Sequence, residues 1–303
     1  MQTQHTTEHI GALIGSVREA RGLTQSDLAK KIGSSQSAIA RIEKGEQNLT
    51  LEMIGKISGA LRAPLMSLPD ESMNFEIEGG RKLKGAVVTN TSKNAAMSLL
   101  AATLLNRGKT TLKNMPRIEE VARLLEVLKS IGVEARWSGN DIVVRPPKKL
   151  ALKNINRAAA ERTRSAVMFA GPLVHCAKDF TLPYAGGCKL GSRTIKPHLF
   201  ALEAFGITTQ VEDAHYRFTR GRLAPAEIVM YESGDTATEN TILAAARIPG
   251  ATTIRLASPN YMVRDLCYFL LKLGVRIEGI GTATLVIHGK KDINKSVTYY
   301  PRK

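Results

Sequence analysis

The stretch EEVARLLEVLKSIGVEARWSGNDIVVRP (residues 119–146) decides the fold of most of this chain. Its first half predicts an apolar helix, because apolar residues recur every three or four positions until Gly132. A strand-turn-strand passage, EARWSGNDIVVRP, follows the glycine. The stretch therefore predicts a helix that leads into a β-hairpin.

The same arrangement occurs three times in the chain. Helical segments end at Gly132, Gly206 and Gly274, which are 74 and 68 residues apart, and a strand-turn-strand passage follows each glycine. Ala-rich helices that open the three units are predicted over residues 94–105, 165–176 and 240–247. Each unit reads helix, strand, helix, strand, strand. This period predicts one α/β domain with internal threefold pseudo-symmetry, whose units cover one another's buried helices.

The positive charge of the chain is concentrated outside its N-terminal segment. The chain has 303 residues, enough for two domains, and a net charge of +16. Residues 1–72 contain eight basic and eight acidic residues, whereas residues 73–303 contain 35 basic and 19 acidic residues. A basic surface attracts phosphates of any kind, including those of a nucleotide sugar. The charge alone therefore does not indicate DNA as a partner.

The sequence predicts a cytoplasmic protein. No apolar run approaches the roughly 20 residues that a membrane span needs, and the N-terminus lacks the pattern of a signal peptide. The cysteines Cys176, Cys188 and Cys267 lack metal-ligand spacing, which indicates reduced thiols. Cys176 and Cys267 lie in apolar helical segments and are expected in the core.

Residues 9–66 predict four short helices separated by turns. The first, over residues 10–20, is expected to present Ile10, Leu13, Ile14 and Val17 on one face. Thr24 and Asp27 predict a capping box for the second, which stops at Gly33. The third helix is predicted over residues 36–44 and the fourth over residues 50–61. Two helices joined by a tight turn, the second with polar residues at its start, suit the major groove of DNA.

This N-terminal segment resembles the helix-turn-helix family of phage repressors and Xre-type regulators. The resemblance rests on LTQSDLAKKIGSSQSAIARIEKGEQNLTLEMIGKISGAL and covers nearly all of residues 9–66. It implies that Gln25 contacts a phosphate and that Gln36, Ser37 and Arg41 face base edges. The alternative is a role in protein–protein contact or dimerisation. The neutral charge favours that alternative, because phosphate neutralisation supplies most non-specific affinity for DNA.

Candidate groups for chemistry lie in a Gly-rich loop and at helix starts. Cys188 lies in the loop LPYAGGCKLGSR (residues 182–193) beside Lys189 and Arg193, whose charges would lower its thiol pKa and favour the thiolate. Lys93 and Arg164 precede the first and second Ala-rich helices, and helix N-termini attract anions. From the residues alone, a reactive and an inert Cys188 are both open, as are an anion-binding and a solvated Lys93.

These residues together resemble the enolpyruvyl transferases, and among them the UDP-N-acetylglucosamine 1-carboxyvinyltransferases of peptidoglycan precursor synthesis. The matching stretches are FEIEGGRKLKGAV, SKNAAMSLLAATLL, TRSAVMFAGPLV, GGCKLGSR and TATENTILAAA, in this order from residue 75 to about residue 301. The resemblance implies an inside-out α/β barrel of two lobes, each with three repeats, which bind substrates between them. The domains predicted here are a helix-turn-helix over residues 1–66, a linker over 67–73 and one lobe over 74–303.

The resemblance implies roles for five residues. Lys93 would contact the part of the intermediate that derives from phosphoenolpyruvate, and Asn94 the amino sugar. Arg164 and Arg193 would hold phosphates. Cys188 would be the general acid toward the enolpyruvyl methylene and the thiol that fosfomycin alkylates. No metal or organic cofactor is implied, and the substrates would be UDP-N-acetylglucosamine and phosphoenolpyruvate.

The chain departs from the family pattern at several positions. Tyr184 and Ala185 are inserted before the Gly-Gly-Cys of the loop, and Lys196 replaces an Asp that holds the uracil end. Asp235 lies in a turn that contacts phosphate in relatives, where its carboxylate would repel a diphosphate. An acidic Glu-Pro-Glu segment of many relatives reads NYM here, beginning at Asn260. These changes bear on nucleotide specificity.

The resemblance also implies a second lobe with an aspartate base and further arginines. We therefore expect either a truncated gene product or a partner that supplies this lobe, and a homodimer is also open. We also expect little or no turnover by residues 1–303 alone. Residues 74–88 resemble a strand that pairs into the second lobe, and its edge would otherwise be exposed. An alternative function is a DNA-binding regulator whose lobe senses a nucleotide sugar.

Overall fold

The chain forms two compact units, residues 1–85 and 86–303, and each is described by itself. The computed structural model describes residues 2–47, 49–61, 79–80, 82, 84–87, 89, 91–184 and 194–302. Within these residues no helix is both long enough and apolar enough to cross a membrane.

The N-terminal unit contains the four predicted helices. They are α1 (Gln2–Ala20), α2 (Gln25–Ile32), α3 (Gln36–Glu43) and α4 (Leu51–Leu61). The capping box is confirmed, since the Thr24 side chain accepts from the Asp27 backbone N–H and the Asp27 carboxylate accepts from the Thr24 backbone N–H. Gly33 ends α2 with a φ of 68°, a left-handed conformation that favours glycine. The short turn between α2 and α3 thus follows from local sequence.

The core of this unit lies between all four helices. Its buried members are Ile14, Leu28, Ala29, Ile39, Ile42, Ile54, Ile57 and Leu61. The prediction that Leu13 shares this face is wrong: the residue is 44% exposed, because Ile14 and Val17 fill the side of α1 that faces α3.

A buried ion pair ties α1 to the end of α3. Arg18 is 7% exposed, and its Nε donates to Oε1 of Glu43 over 2.6 Å. The same guanidinium donates to the carbonyl oxygen of Leu23 over 2.7 Å, so it also holds the turn before α2. A charged pair at this depth is stable only because both charges are hydrogen-bonded. The pair therefore specifies how α1 lies against the two helices that follow it.

The C-terminal unit is the predicted α/β lobe. Its helices are α5 (Lys93–Ala102), α6 (Glu119–Ser130), α7 (Arg157–Glu161), α8 (Ala170–Leu173), α9 (Lys196–Glu203), α10 (Asp235–Ala245) and α11 (Tyr261–Leu273). Short 3-10 helices span Thr103–Leu105, Leu152–Asn154 and Arg164–Phe169. Its strands are β1 (Thr110–Leu112), β2 (Glu134–Ser138), β3 (Asp141–Arg145), β4 (Asp179–Pro183), β5 (Ile207–Glu212), β6 (His215–Arg220), β7 (Glu227–Val229), β8 (Gly250–Arg255), β9 (Arg276–Glu278), β10 (Thr284–Gly289) and β11 (Val297–Tyr299).

Each repeat contributes one sheet with the same strand order. The orders are β1-β3-β2, β4-β6-β5 and β8-β10-β9, with antiparallel neighbours throughout. β11 joins the first sheet parallel to β1, and β7 joins the third parallel to β8. The repeat of helix, strand, helix, strand, strand is confirmed in all three units. The recurring Gly132, Gly206 and Gly274 have φ values of 89°, 80° and 94°, which explains why glycine recurs where each second helix ends.

The helices that open the repeats form the centre of the lobe. α5 is buried from Ala95 through Ala102 and α10 from Ala237 through Ala245, and both contact the 3-10 helix at Arg164–Phe169. Helices buried on all sides are typical of a core, although α10 also buries the polar Glu239 and Asn240. α6, α9 and α11 pack between this centre and the sheets, so each repeat covers the buried helix of a neighbour.

Two helix predictions are corrected by the structure. The predicted second Ala-rich helix is a 3-10 segment followed by α8, which ends at Leu173 ahead of a turn, so Cys176 is exposed and not in the core. The third begins at Asp235, five residues before the predicted start, and this places Glu239 inside the buried helix. Cys267 is buried as predicted. Residues 74–78 of the predicted pairing strand lie outside the described residues, and the described ones among 79–87 form no strand.

The crossing of α1 and α3 leaves no room for a side chain at Gly11. A Cβ there would lie 2.3 Å from the carbonyl oxygen of Ile42 and 2.8 Å from that of Glu43. We expect Gly11→Ala to destabilise the N-terminal unit by about 1–3 kcal/mol through overpacking. Amide hydrogen exchange of α1 and α3, read by mass spectrometry, measures this effect within the intact chain.

Gly55→Ala is the matched control, because a Cβ at Gly55 meets nothing within 4 Å. That substitution should stabilise α4 by roughly 0.5–1 kcal/mol through helix propensity. Equal exchange rates in both variants would contradict the close crossing of α1 and α3.

Candidate functional site

The first residues of the three opening helices occupy equivalent positions in the repeats. They are Lys93 in α5, Arg164 in the 3-10 helix and Asp235 in α10. Ser92 caps α5 by accepting from the Ala95 N–H over 3.2 Å, and Thr163 caps the 3-10 helix by accepting from the Ser165 N–H over 3.2 Å. The threefold repeat thus places two cations and one acid at three related helix starts.

A cleft of about 650 Å³ opens where these helices start. It is lined by Asn94, Arg164, Thr194, Pro197, Glu232, Gly234, Asp235 and Thr236. Asn94, Arg164, Pro197 and Asp235 each belong to the first turn of a different helix. N-terminal turns direct backbone N–H groups outward and favour anions. The geometry of the cleft therefore suits a phosphate-bearing ligand.

Arg164 extends across this cleft. Its guanidinium Nη2 donates to the carbonyl oxygen of Thr194 over 2.9 Å. Thr194 directly follows the loop that contains Cys188 and Arg193, and both of those predicted site residues lie outside the described residues. Arg164 and Asn94 are thus the predicted substrate-binding residues that the described structure brings to one cleft.

Lys93 does not line that cleft. Its Nζ forms an ion pair with Glu120 in the first turn of α6. Burial alone would raise the pKa of the Glu120 carboxyl, but the hydrogen bond and charge of Lys93 outweigh it and hold that pKa below its usual range. The sequence places Lys93 and Glu120 in separate elements, so their pairing appears only in the fold.

Asp235 is held by the loop before α11. Its carboxylate accepts hydrogen bonds from the Ser258 hydroxyl and from Nδ2 of Asn260 over 3.3 Å. A carboxylate in the first turn already complements the positive end of α10. The start of α10 is therefore occupied by a group of the chain itself, which leaves Arg164 and α5 as the more anion-attracting part of the cleft.

A buried network supports the cleft from below. The Asn240 amide oxygen accepts from the Gly171 N–H over 2.8 Å, and its Nδ2 donates to the Val167 carbonyl oxygen over 3.2 Å. The same Nδ2 lies 3.2 Å from Nδ1 of His198. Burial, with the charge of Arg164, lowers the pKa of His198 to about 4. His198 is thus neutral at physiological pH, as a hydrogen-bond acceptor for Asn240 must be.

Glu239 lies one turn behind Asp235 and is 1% exposed. Burial raises the pKa of its carboxyl to about 8, the Ser98 hydroxyl offsets this partly, and the charges of Asp235 and Asp265 add to it. The native lobe therefore holds a proton on Glu239 near neutral pH. No sequence pattern indicated this, because the predicted helix began only after this residue.

The helix-turn-helix unit presents a second candidate surface. Gln36, Ser37 and Arg41 are exposed on α3. Gln25 is the first residue of α2, and its Oε1 accepts from Nε2 of Gln36 over 2.7 Å while its own Nε2 donates to Glu43 over 2.8 Å. The predicted DNA-contacting residues thus include a hydrogen-bonded pair at the starts of α2 and α3.

Solved structures show the fold of the lobe. The enolpyruvyl transferase NikO from Streptomyces tendae aligns with a TM-score of 0.62 at 24% identity, covering 74% of this chain and 53% of that chain. EPSP synthase from Acinetobacter baumannii aligns with a TM-score of 0.57 at 15% identity, covering 74% and 51%. The threefold-repeated lobe has the enolpyruvyl transferase fold.

Sequence comparison identifies the family. A profile described as EPSP synthase (3-phosphoshikimate 1-carboxyvinyltransferase) matches residues 77–300, and one described as helix-turn-helix matches residues 14–68. The UDP-N-acetylglucosamine 1-carboxyvinyltransferase of Bradyrhizobium diazoefficiens is 34% identical over 224 residues, which are 74% of this chain and 52% of that protein. UDP-N-acetylglucosamine 1-carboxyvinyltransferase 2 of Caldanaerobacter subterraneus subsp. tengcongensis is 35% identical over 220 residues, 73% and 52%.

The chain belongs to the EPSP synthase family of enolpyruvyl transferases and carries a helix-turn-helix domain ahead of the lobe. It spans about half the length of the curated relatives it matches. The resemblance read from the sequence is thereby confirmed for both parts of the chain.

The protonated state of Glu239 predicts a dependence of stability on pH. The unfolded chain releases this proton near the ordinary carboxyl pKa of 4.5, whereas the native state keeps it until about pH 8. The contribution of Glu239 is therefore most favourable below pH 4.5 and declines as the pH rises toward 8, by about 1.4 kcal/mol per unit. Glu239→Gln, which cannot ionise, should remove this decline.

Urea denaturation of wild type and Glu239→Gln at several pH values between 5 and 8 gives the free energy of unfolding of each. The difference between the two free energies as a function of pH measures the effect. Glu278→Gln serves as a control, because Glu278 is exposed and its pKa is lowered by His288 and Arg276. If wild type and Glu239→Gln lose stability in parallel over this range, Glu239 is ionised in the native lobe.

Proposed function

We propose that the lobe binds UDP-N-acetylglucosamine and phosphoenolpyruvate and takes part in enolpyruvyl transfer to the sugar 3-hydroxyl, a step of peptidoglycan precursor synthesis. The observation that carries this proposal is the cleft in which Arg164 and the starts of four helices meet. The names of the curated relatives support the choice of sugar nucleotide and reaction.

The roles proposed for individual residues follow the family resemblance. Arg164 and Arg193 bind phosphates, Asn94 contacts the amino sugar, and Lys93 contacts the part of the intermediate that derives from phosphoenolpyruvate. To do so, the Lys93 ammonium must either leave Glu120 or bind Glu120 and the ligand at the same time.

In the proposed reaction the sugar 3-hydroxyl oxygen bonds to C2 of phosphoenolpyruvate and loses its proton to a base. Cys188 supplies a proton to C3 at the same time. The tetrahedral adduct then expels phosphate. In this step the bond between C2 and the bridging phosphate oxygen breaks, and C3 gives up a proton. Cationic side chains stabilise the charge on the adduct. The base and further arginines come from a second lobe, in this polypeptide or in a partner.

Two departures from the family pattern bear on the nucleotide. Asp235 lines the cleft, and its carboxylate accepts hydrogen bonds from Ser258 and Asn260. Lys196, exposed at the start of α9, replaces a residue that holds the uracil end in relatives. The Lys196 ammonium should attract the diphosphate and the Asp235 carboxylate should repel it. We therefore expect the diphosphate to lie closer to Arg164 and α9.

The test of this proposal is binding of UDP-N-acetylglucosamine to the purified chain. We expect Arg164→Ala to weaken binding by roughly tenfold or more, because a charge-assisted contact to phosphate is lost. Arg276→Ala is the control: it removes an arginine that pairs with Glu278 outside the cleft. Titration calorimetry measures affinity, and protection of Cys188 from iodoacetamide reports whether bound ligand shields this thiol.

The exposed Cys176 is the internal reference for that alkylation. Equal affinity in both arginine variants would contradict the role of Arg164. Binding without any change in the alkylation of Cys188 would contradict the placement of the loop thiol at the substrate.

The helix-turn-helix domain supports a second candidate function, a DNA-binding regulator whose lobe senses the nucleotide sugar. The match to the helix-turn-helix profile and the exposed polar start of α3 favour it. In this role Gln25 contacts a phosphate, and Gln36, Ser37 and Arg41 read base edges. Both functions place the chain in the cytoplasm. A homodimer would set two recognition helices against two half-sites, which sedimentation on operator DNA would detect.

DNA selection from random duplexes tests the regulator role. We expect the chain to enrich one sequence motif, and Arg41→Ala to lose the preference at one or two positions, at about 1–3 kcal/mol each. Lys56→Ala is the control, since this lysine lies on α4 and pairs with Glu52. No enriched motif at low salt would exclude sequence-specific binding by this domain.

A further inference from the structure

The outer face of the first sheet carries a cluster of cations that the substrate cleft does not use. A second cleft of about 560 Å³ is lined by Lys109, Lys129, Val133, Glu134, Ala135, Arg136, Val143 and Arg145. The four basic residues are all exposed. Glu134 is the one acidic side chain among these lining residues.

The strand register places these side chains together. Arg136 in β2 lies opposite Val143 in β3, and Glu134 lies opposite Arg145. Residues two apart on a strand share a face, so Arg136 and Arg145 are diagonal neighbours on the outer side, about 7–8 Å apart. Ile142 and Val144 alternate with them and are fully buried on the inner side. Arg136 and Arg145 are therefore fixed on the outer face by the packing of the inner one, whereas Lys109 directly precedes β1 and Lys129 lies in the last turn of α6.

The other two sheets provide an internal comparison, because the repeats are equivalent. On the second sheet Arg217 pairs with Asp179 and Glu212, at 3.2 and 2.8 Å. On the third, Arg255 pairs with Glu227 at 2.6 Å and Arg276 with Glu278 at 2.7 Å.

The first sheet carries one ion pair, between Lys113 after β1 and Asp141 in β3, but it does not involve the four cations that line the cleft. Within the described part of the chain, the four cations Lys109, Lys129, Arg136 and Arg145 take part in no ion pair. Positive charges held together without counter-charges repel one another and gain most from a polyanion. Arginines on the other two sheets form ion pairs, whereas Arg136 and Arg145 do not. This difference favours a binding role over a face that only contacts solvent.

We propose that this face, the basic face (Lys109, Lys129, Arg136 and Arg145), binds the phosphate backbone of duplex DNA without reading sequence. The choice of DNA rests on the proposed role of the helix-turn-helix domain. Residues 1–72 contain as many acidic as basic residues, so the domain has no excess of cations to supply non-specific affinity for DNA, whereas residues 73–303 carry all of the excess. The lobe would then contribute affinity, and the helix-turn-helix would contribute sequence preference.

The experiment measures binding of the full chain to a duplex as a function of salt concentration. Arg136→Ser with Arg145→Ser should weaken binding to every sequence by roughly tenfold at low salt and reduce the slope of log K against log salt by about 2. Arg255→Ser with Arg276→Ser removes the same charge from the third sheet and should change neither quantity. Lys109→Gln with Lys129→Gln repeats the test on the same face if the first pair misfolds.

Several outcomes would overturn the proposal. Equal losses in the two arginine pairs would indicate a general effect of net charge, and unchanged binding in the first pair and the lysine pair would exclude the face. Displacement of DNA by inorganic phosphate, beyond that by chloride at the same ionic strength, would assign the face to a small phosphate ligand. A failure of the proposed helix-turn-helix function gives a different result from a failure of the basic face. If the helix-turn-helix reads sequence, Arg41→Ala alters sequence preference and leaves the salt slope within about one unit. If it does not, Arg41→Ala leaves sequence preference unchanged, whereas the arginine pair on the basic face still changes the salt slope.

Discussion

Close packing of small side chains at the centre of the lobe determines where everything else lies. α5 and α10 are buried over nearly their whole length, and Gly171 of α8 approaches Asn240 so closely that a Cβ would lie 2.6 Å from its carbonyl oxygen. Alanine and glycine allow this approach. The Asn240 amide forms hydrogen bonds with the Gly171 N–H and the Val167 carbonyl oxygen, which would otherwise be buried without partners. Because these helices meet, their N-terminal turns open into a shared cleft.

The repeats share this geometry but differ in charge. Equivalent first residues are Lys93, Arg164 and Asp235, and each has a different partner: Glu120, the Thr194 carbonyl oxygen, and the Ser258–Asn260 loop. The sheets differ in the same way: Arg217, Arg255 and Arg276 of the second and third sheets form ion pairs, whereas Arg136 and Arg145 of the first form none within the described residues. The internal repeat thus creates three similar positions, and the residue at each position determines its charge and its partner.

The sequence predicted much of the fold, because local signals are strong where the repeats recur. Gly132, Gly206 and Gly274 mark helix ends that require a positive φ, and Thr24 with Asp27 marks a helix start. It failed where a boundary depends on packing. α10 begins at Asp235 without a side-chain cap, and the helix predicted through Cys176 breaks into a 3-10 segment.

Of the candidate site, Asn94 and Arg164 were predictable as residues at helix starts, and the structure brings them to one cleft. Their partners were not, because contacts such as Lys93 with Glu120 or Asp235 with Ser258 join elements that only tertiary packing brings together. The proton on Glu239 likewise depends on complete burial in α10. Charges and partners of a site are long-range properties, whereas helix starts are local ones.

The central claim is that the meeting helix starts form the phosphate-binding part of the lobe. A crystal structure of the chain with UDP-N-acetylglucosamine tests it most directly. We expect the diphosphate within hydrogen-bond distance of the Arg164 guanidinium, beside Asn94 and the first turn of α5. A diphosphate bound elsewhere on the lobe, with Arg164 still donating to Thr194 and the cleft holding only water, would contradict it.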